Sequence, residues 1–121
     1  MRLVLEIQFA SEQIAELVNN KRKMQSIHGK PACEALERLM RKLYNAKSLH
    51  EFWPPYSKAT RCHVLTQKTG KHDHRRGLFS MRIVGGLRLV FEPKWSNEEE
   101  VTRTWQDIKT IIICQIEDYH D

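Results

Sequence analysis

The stretch LFSMRIVGGLRLVFE, residues 78–92, decides the fold, because it reads as a β-hairpin whose register can be tested against its own side chains. Alternating runs flank Gly85 and Gly86, the pattern of two paired strands joined by a tight turn. If the two glycines alone make the turn, Phe79, Met81 and Ile83 share a face with Arg88, Val90 and Glu92, and an arginine is buried in the core. A three-residue loop over 84–86 instead pairs Ile83 with Leu87, Met81 with Leu89 and Phe79 with Phe91, which gathers the large apolar residues on one side. We expect that register. Its other face then presents Ser80, Arg82, Arg88, Val90 and Glu92, with Arg82 directly across from Arg88. Opposed like charges repel unless a carboxylate or an anion stands between them, and Glu92 or a bound phosphate is expected to do so.

Working outward, residues 3–9 alternate as a half-buried strand, and Ser11 is placed to cap a helix whose apolar stripe is Ile14, Leu17 and Val18. Gly29 and Pro31 break the chain and open a second helix, in which Leu36, Leu39, Met40, Leu43 and Tyr44 fall at the spacing of one apolar face. Residues 49–56, LHEFWPPY, hold two prolines and three aromatics and read as an irregular connector. Strands are expected at 60–66, 78–83, 87–92 and 110–116. The result is one α+β domain spanning 1–121, ordered β-α-α-β-β-β-β. Two N-terminal helices are expected on one face of a mixed or mostly antiparallel sheet of about five strands.

The 121 residues carry a net charge of +5, and 40% are hydrophobic. That suits one ordered core and favours an anionic partner. The charge is uneven. Residues 61–88 hold seven basic side chains, Arg61, Lys68, Lys71, Arg75, Arg76, Arg82 and Arg88, against one acidic, Asp73, whereas 89–121 hold three basic and eight acidic. No apolar run approaches the ~18 residues of a membrane helix, and the first residues lack the basic flank and cleavage site of an export signal, so membrane insertion and export are not expected. Cys33, Cys62 and Cys114 are an odd number without CxxC spacing. Reduced thiols in the cytoplasm are therefore expected, with neither a disulfide framework nor a zinc site.

Four stretches taken together carry a family resemblance: ATRCHVL at 59–65, RGLFSMRI from Arg76, LRLVFEP from Leu87 and IEDYH at 116–120. Their ordered combination resembles the RelE/ParE superfamily of bacterial type II toxins, with the closest likeness to the HigB, or plasmid-maintenance killer, branch. The resemblance implies a RelE/ParE-like domain that enters the decoding site of the bacterial ribosome and cuts messenger RNA. It further implies a cognate, HigA-like antitoxin that holds the toxin inactive, and contact with operator DNA only through that complex. Carried over residue by residue, the catalytic positions are His63, Arg88, Asp118, Tyr119 and His120. The basic residues Arg61, Lys68, Lys71, Arg75, Arg76 and Arg82 are the expected RNA-binding set. The connection between His63 and Gly77 departs from the pattern, being about six residues longer than in relatives, so Lys68, Lys71 and Arg75 all remain candidates for the loop cations.

The chemistry fits those residue types. RNA cleavage without a metal needs a base for the 2′-OH proton, a cation for the phosphate and an acid for the departing 5′-oxygen. His63 and His120 suit the proton steps, Arg88 the phosphate, and Asp118 the orientation of a neighbouring imidazole or guanidinium. Tyr119 suits stacking on a base or donating a hydrogen bond. Neither metal nor cofactor is expected: His72 and His74 beside Asp73 could join His63, but a cationic loop with one carboxylate is a poor home for a divalent ion. Two further alternatives are a non-catalytic module that binds only its antitoxin and operator DNA, and a gyrase-poisoning, ParE-like toxin.

Overall fold

The computed structural model describes residues 4–52, 63–64, 78–96, 99 and 104–118. The chain begins with β1 (Glu6–Phe9) and turns helical at Ser11, whose Oγ accepts a hydrogen bond from the Ile14 N–H at 3.3 Å and so caps α1 (Glu12–Asn19). Asn20 is extended and ends that helix. Its side chain accepts from the Lys23 N–H at 3.1 Å and starts α2 (Lys21–His28). Gly29, at φ +92°, closes α2 and opens α3 (Lys30–Asn45), with Pro31 in the first turn, where its missing N–H costs nothing.

Among the described residues there are thus three α-helices where the sequence reading expected two. The additional one, KRKMQSIH, has a single buried anchor, Met24, and so lacks a periodic stripe. In α3 the expected face holds, with Leu36, Leu39, Met40 and Leu43 buried beside Ala32, Cys33 and Ala35. Burying each of these leucines stabilises the fold by about 1.5–3 kcal/mol. The face stops at Leu43, since Tyr44 is 49% exposed. The expected irregular connector begins with a short 3-10 turn, Leu49–Phe52, which buries Leu49 and Phe52; residues 53–56 lie outside the described residues.

After β2 (His63–Val64) come β3 (Phe79–Val84), β4 (Leu87–Trp95) and β5 (Ile108–Asp118), the last preceded by a 3-10 turn at Trp105–Asp107. The sheet runs β1-β5-β4-β3-β2. The β1–β5 pair is parallel and the others antiparallel. Four strands are four residues or longer, while β2 contributes two described residues at the edge. β4 runs past Glu92 through Pro93 to Trp95. Its β3 pairing begins at Phe79–Phe91, so among the described residues Pro93 has a strand neighbour on the β5 side only, where a missing donor is tolerated.

The hairpin combines the two registers weighed above. The turn is the two glycines, with Gly85 at φ +57° and Val84 opposite Leu87, as in the two-residue alternative. A bulge between Arg82 and Val84 then absorbs Ile83 and restores the expected pairs Arg82–Arg88, Met81–Leu89 and Phe79–Phe91. Ile83 therefore does not pair with Leu87, yet both are buried as expected. Phe79 and Phe91 stack with ring centroids 5.8 Å apart, and Met81, Leu89, Ile111 and Ile113 join them beneath the helices in one core. The opposite face is less open than the alternation suggested, because Ser80 and Val90 are both 0% exposed.

Candidate functional site

The face of the sheet opposite the helices is organised by cross-strand rows. In one, Arg82 of β3 stands opposite Arg88 of β4, which stands opposite Glu117 of β5. In the next, position 63 of β2 stands opposite Ser80, Ser80 opposite Val90, and Val90 opposite Gln115. Strands lie ~4.8 Å apart and residues rise ~3.4 Å along them, so position 63 and Arg88, two strands and one dyad apart, have Cα atoms separated by roughly 12 Å.

Charge along the rows is graded. Arg82 and Arg88 are half-buried neighbours of the same sign, and the carboxylate next to them in register is Glu117. This corrects the expectation of Glu92, which is paired with Ile112 four residues along β4. The Gln115 side-chain amide donates to Glu117 Oε1, so the carboxylate is held within its own strand. Farther from the hairpin the face becomes acidic and polar. Thr110 Oγ1 donates to Glu6 Oε2 at 3.1 Å, and Gln8 Nε2 to Glu6 Oε1 at 3.3 Å. Between the two regions Cys114 donates to the Ile112 carbonyl at 3.4 Å. Burial, and then the Glu92 carboxylate, push its thiol pKa up.

Glu117 reaches this face because of an irregularity in β5. Ile113 pairs with Phe91 and Gln115 with Val90, so Cys114 is an extra residue in the ladder. Beyond that bulge the alternation changes phase: Ile116 falls opposite Leu89 and Asp118 opposite Leu87 on the helix side, while Glu117 takes the Arg88 side. Sequence reasoning missed Glu117. A run of isoleucines carries no alternation from which to read the phase, and only the pairing with β4 supplies it.

Of the expected site residues, the fold therefore brings position 63, Arg82 and Arg88 to one face. Asp118 is not in that group. It ends β5, is exposed, and with His28, Ala32, Leu87 and the turn at 84–86 lines a shallow hollow of about 190 Å³ between the hairpin tip and the helices. Tyr119, His120, Arg61, Lys68, Lys71, Arg75 and Arg76 lie outside the described residues, as do His72, Asp73, His74 and Cys62. Among the described residues no three His, Cys, Asp or Glu side chains converge on a position that could hold a metal ion, and no helix is long and apolar enough to cross a membrane.

Helices on one face of a mixed sheet, with a long antiparallel hairpin running into the last strand, are an α+β arrangement that a solved structure shares. A chain of the YoeB-YefM complex from Staphylococcus aureus is similar over 97% of this chain and 98% of its own, with a TM-score of 0.50 and 19% sequence identity. At that identity the likeness concerns the fold. No protein-family model matches the sequence, and no curated protein does.

Proposed function

We propose that this chain is the toxin of a type II toxin–antitoxin system and cuts messenger RNA on the ribosome without a metal, by attack of the 2′-OH on the adjacent phosphate. The observation that carries the reading is the placement of Arg82, Arg88 and position 63 on one face of a sheet whose arrangement a chain of the YoeB-YefM complex shares. Paired cations are stable there when a phosphate lies between them, and position 63 falls in the adjacent cross-strand row. Arg88 is the phosphate ligand and His63 one of the two proton-transfer groups, with His120 the other. Tyr119 contacts a base. Asp118, which ends β5, orients a neighbouring imidazole or guanidinium.

The partner is a cognate antitoxin. The solved neighbour is a two-protein complex, and the sequence resemblance to the HigB branch points to a HigA-like partner, with operator DNA bound through the complex. The cations Arg61, Lys68, Lys71, Arg75 and Arg76, together with Arg82 and Arg88 of the sheet, form a basic set that an acidic or apolar antitoxin segment would cover, excluding RNA. Replacing Lys68, Lys71, Arg75 and Arg76 together should weaken that complex. Unchanged affinity would place inhibition at a remote surface.

Inducible expression with and without the neighbouring gene, combined with mapping of transcript 5′ ends, tests the reading. Toxicity with new 5′ ends inside coding regions, suppressed by the neighbour, is the expected result. Toxicity that halts DNA replication before protein synthesis would point to gyrase instead. A His120→Ala chain as toxic as the parent would point to a binding module.

A further inference from the structure

The helical layer carries a basic excess as large as that of residues 61–88: residues 21–47 hold eight basic side chains and two acidic ones. One of the two acids, Glu37, is taken by Lys21 of α2 at 3.2 Å, and Lys23 is paired with Glu16 of α1 at 3.5 Å. Arg22, Arg38, Arg41 and Lys42 are exposed and form no ion pair among the described residues. The last three stand at i, i+3 and i+4 on α3 and so share one stripe, opposite the buried Leu36, Leu39 and Leu43. Tyr44, one turn beyond Arg41, is 49% exposed at the edge of that stripe. The Cys33 thiol donates to the Lys21 carbonyl at 3.6 Å, and with the Lys21–Glu37 bridge it fixes the start of α2 against α3. Glu37 lies one turn before Arg41, so Arg22 borders the same patch. The helix dipole favours a cation in the last turn, which accounts for Lys42 but not for Arg38, two turns from the end, or for an exposed tyrosine.

We propose that Arg38, Arg41, Lys42 and Tyr44 of α3, with Arg22 of α2, form a second RNA-binding surface, which holds the phosphate backbone of a folded RNA and not the strand to be cut. This rests on the reading of the chain as a ribonuclease that works on the ribosome. The helices cover one face of the sheet, and Arg82 and Arg88 lie on the other. A helix and a sheet, each about 10 Å thick, therefore separate the two cationic surfaces, and one strand laid across Arg88 cannot touch both. A chain that is cationic on opposite faces is drawn into a cleft whose walls are nucleic acid. The guanidinium forks of Arg38 and Arg41 match phosphate oxygens, and Tyr44 offers a ring face to an unpaired base. A protein partner is the poorer fit. The core of a protein interface is a patch of apolar side chains, whereas this stripe has one tyrosine, and the exposed Ile27 lies at the far end of α2.

The test measures binding apart from cleavage, with the full-length chain carrying a fluorophore and ribosomes free of message. Arg38→Gln, Arg41→Gln and Lys42→Gln made together are expected to weaken binding about tenfold or more. They should also flatten the slope of log affinity against log salt by about 2, because each lost phosphate contact releases fewer counterions. Lys30→Gln, Lys94→Gln and Lys109→Gln, exposed lysines away from the stripe, lower the net charge equally and are expected to keep the parent affinity. Tyr44→Ala should weaken binding about fivefold and Tyr44→Phe should restore it. In steady-state cleavage the α3 triple variant should raise KM and leave kcat near that of the parent. Equal weakening by the two triple variants would overturn the proposal, since total charge alone would then matter. Parent-like ribosome binding by the α3 triple variant would overturn it as well, and loss of copurification with the neighbouring gene's product would then give the surface to a protein partner. Should the parent bind ribosomes yet cut no message, the ribonuclease reading falls, and the two triple variants still decide whether α3 holds RNA.

Discussion

Glu117 stands directly opposite Arg88 across the β4–β5 ladder, on the same side of the sheet as Arg82, so two arginines and one carboxylate share a single cross-strand row. The carboxylate offsets repulsion that the hairpin alone would leave between its arginines. Glu117→Gln should therefore lower stability by about 0.5 kcal/mol at low ionic strength, as expected for half-exposed charges. The loss should nearly vanish in 1 M salt, where the screening length falls to about 3 Å. Thermal melts at both salt concentrations measure it. A salt-independent loss would mean that Glu117 acts through packing instead of charge.

Arg88 and Leu89 are adjacent on β4 and point to opposite faces, so their truncations should separate function from stability. Arg88→Ala is expected to abolish cleavage while leaving the melting temperature within a few degrees of the parent. Leu89, 0% exposed in the core, should cost about 2–5 kcal/mol when truncated to alanine. Denaturant titration together with the transcript assay distinguishes them. An active Arg88→Ala chain removes that residue from the site.

Cys114 supplies the pH dependence. Burial first, and the Glu92 carboxylate second, raise its pKa above that of an unburied thiol, so the folded chain keeps this proton at a pH where the unfolded thiol has lost it. The contribution to stability is therefore constant at neutral pH and declines as pH rises past the unfolded thiol's value of about 8.5. Alkylation of Cys114, followed by mass spectrometry from pH 7 to 10, should lag behind that of a free thiol. Glu92→Gln should shorten the lag without abolishing it, because the larger cause, burial, remains.

Cleavage should be independent of divalent metal and leave a 2′,3′-cyclic phosphate on the upstream fragment. Residues 61–88 offer one carboxylate among seven cations, which cannot build the acidic pocket of a metal-hydroxide mechanism. The measurement is end-group analysis after chelation, on ribosomes kept assembled. Activity lost to chelator and restored by zinc or manganese would move the active site to His72 and His74.

The sequence by itself determined the hairpin faces and the main helix. Along residues 79–91 hydrophobicity alternates with a period of two, and only one phase keeps Arg88 out of the core, so the pairs from Phe79–Phe91 to Arg82–Arg88 follow from local pattern and the cost of burying a charge. The apolar positions of α3 recur every three or four residues between a glycine–proline start and a polar end, and that too is local. The tertiary structure decided what stands beside Arg88. Ile111, Ile112, Ile113 and Ile116 are apolar whichever way they point, so β5 carries no phase of its own. Its phase comes from β4, which admits an extra residue at Cys114 and so turns Glu117 toward Arg88 and Asp118 toward Leu87. The third helix escaped the sequence reading for a related reason: α2 is held by Met24 and by its packing on α3 rather than by a stripe of its own, and one buried side chain is too little pattern to read without the partner it packs against.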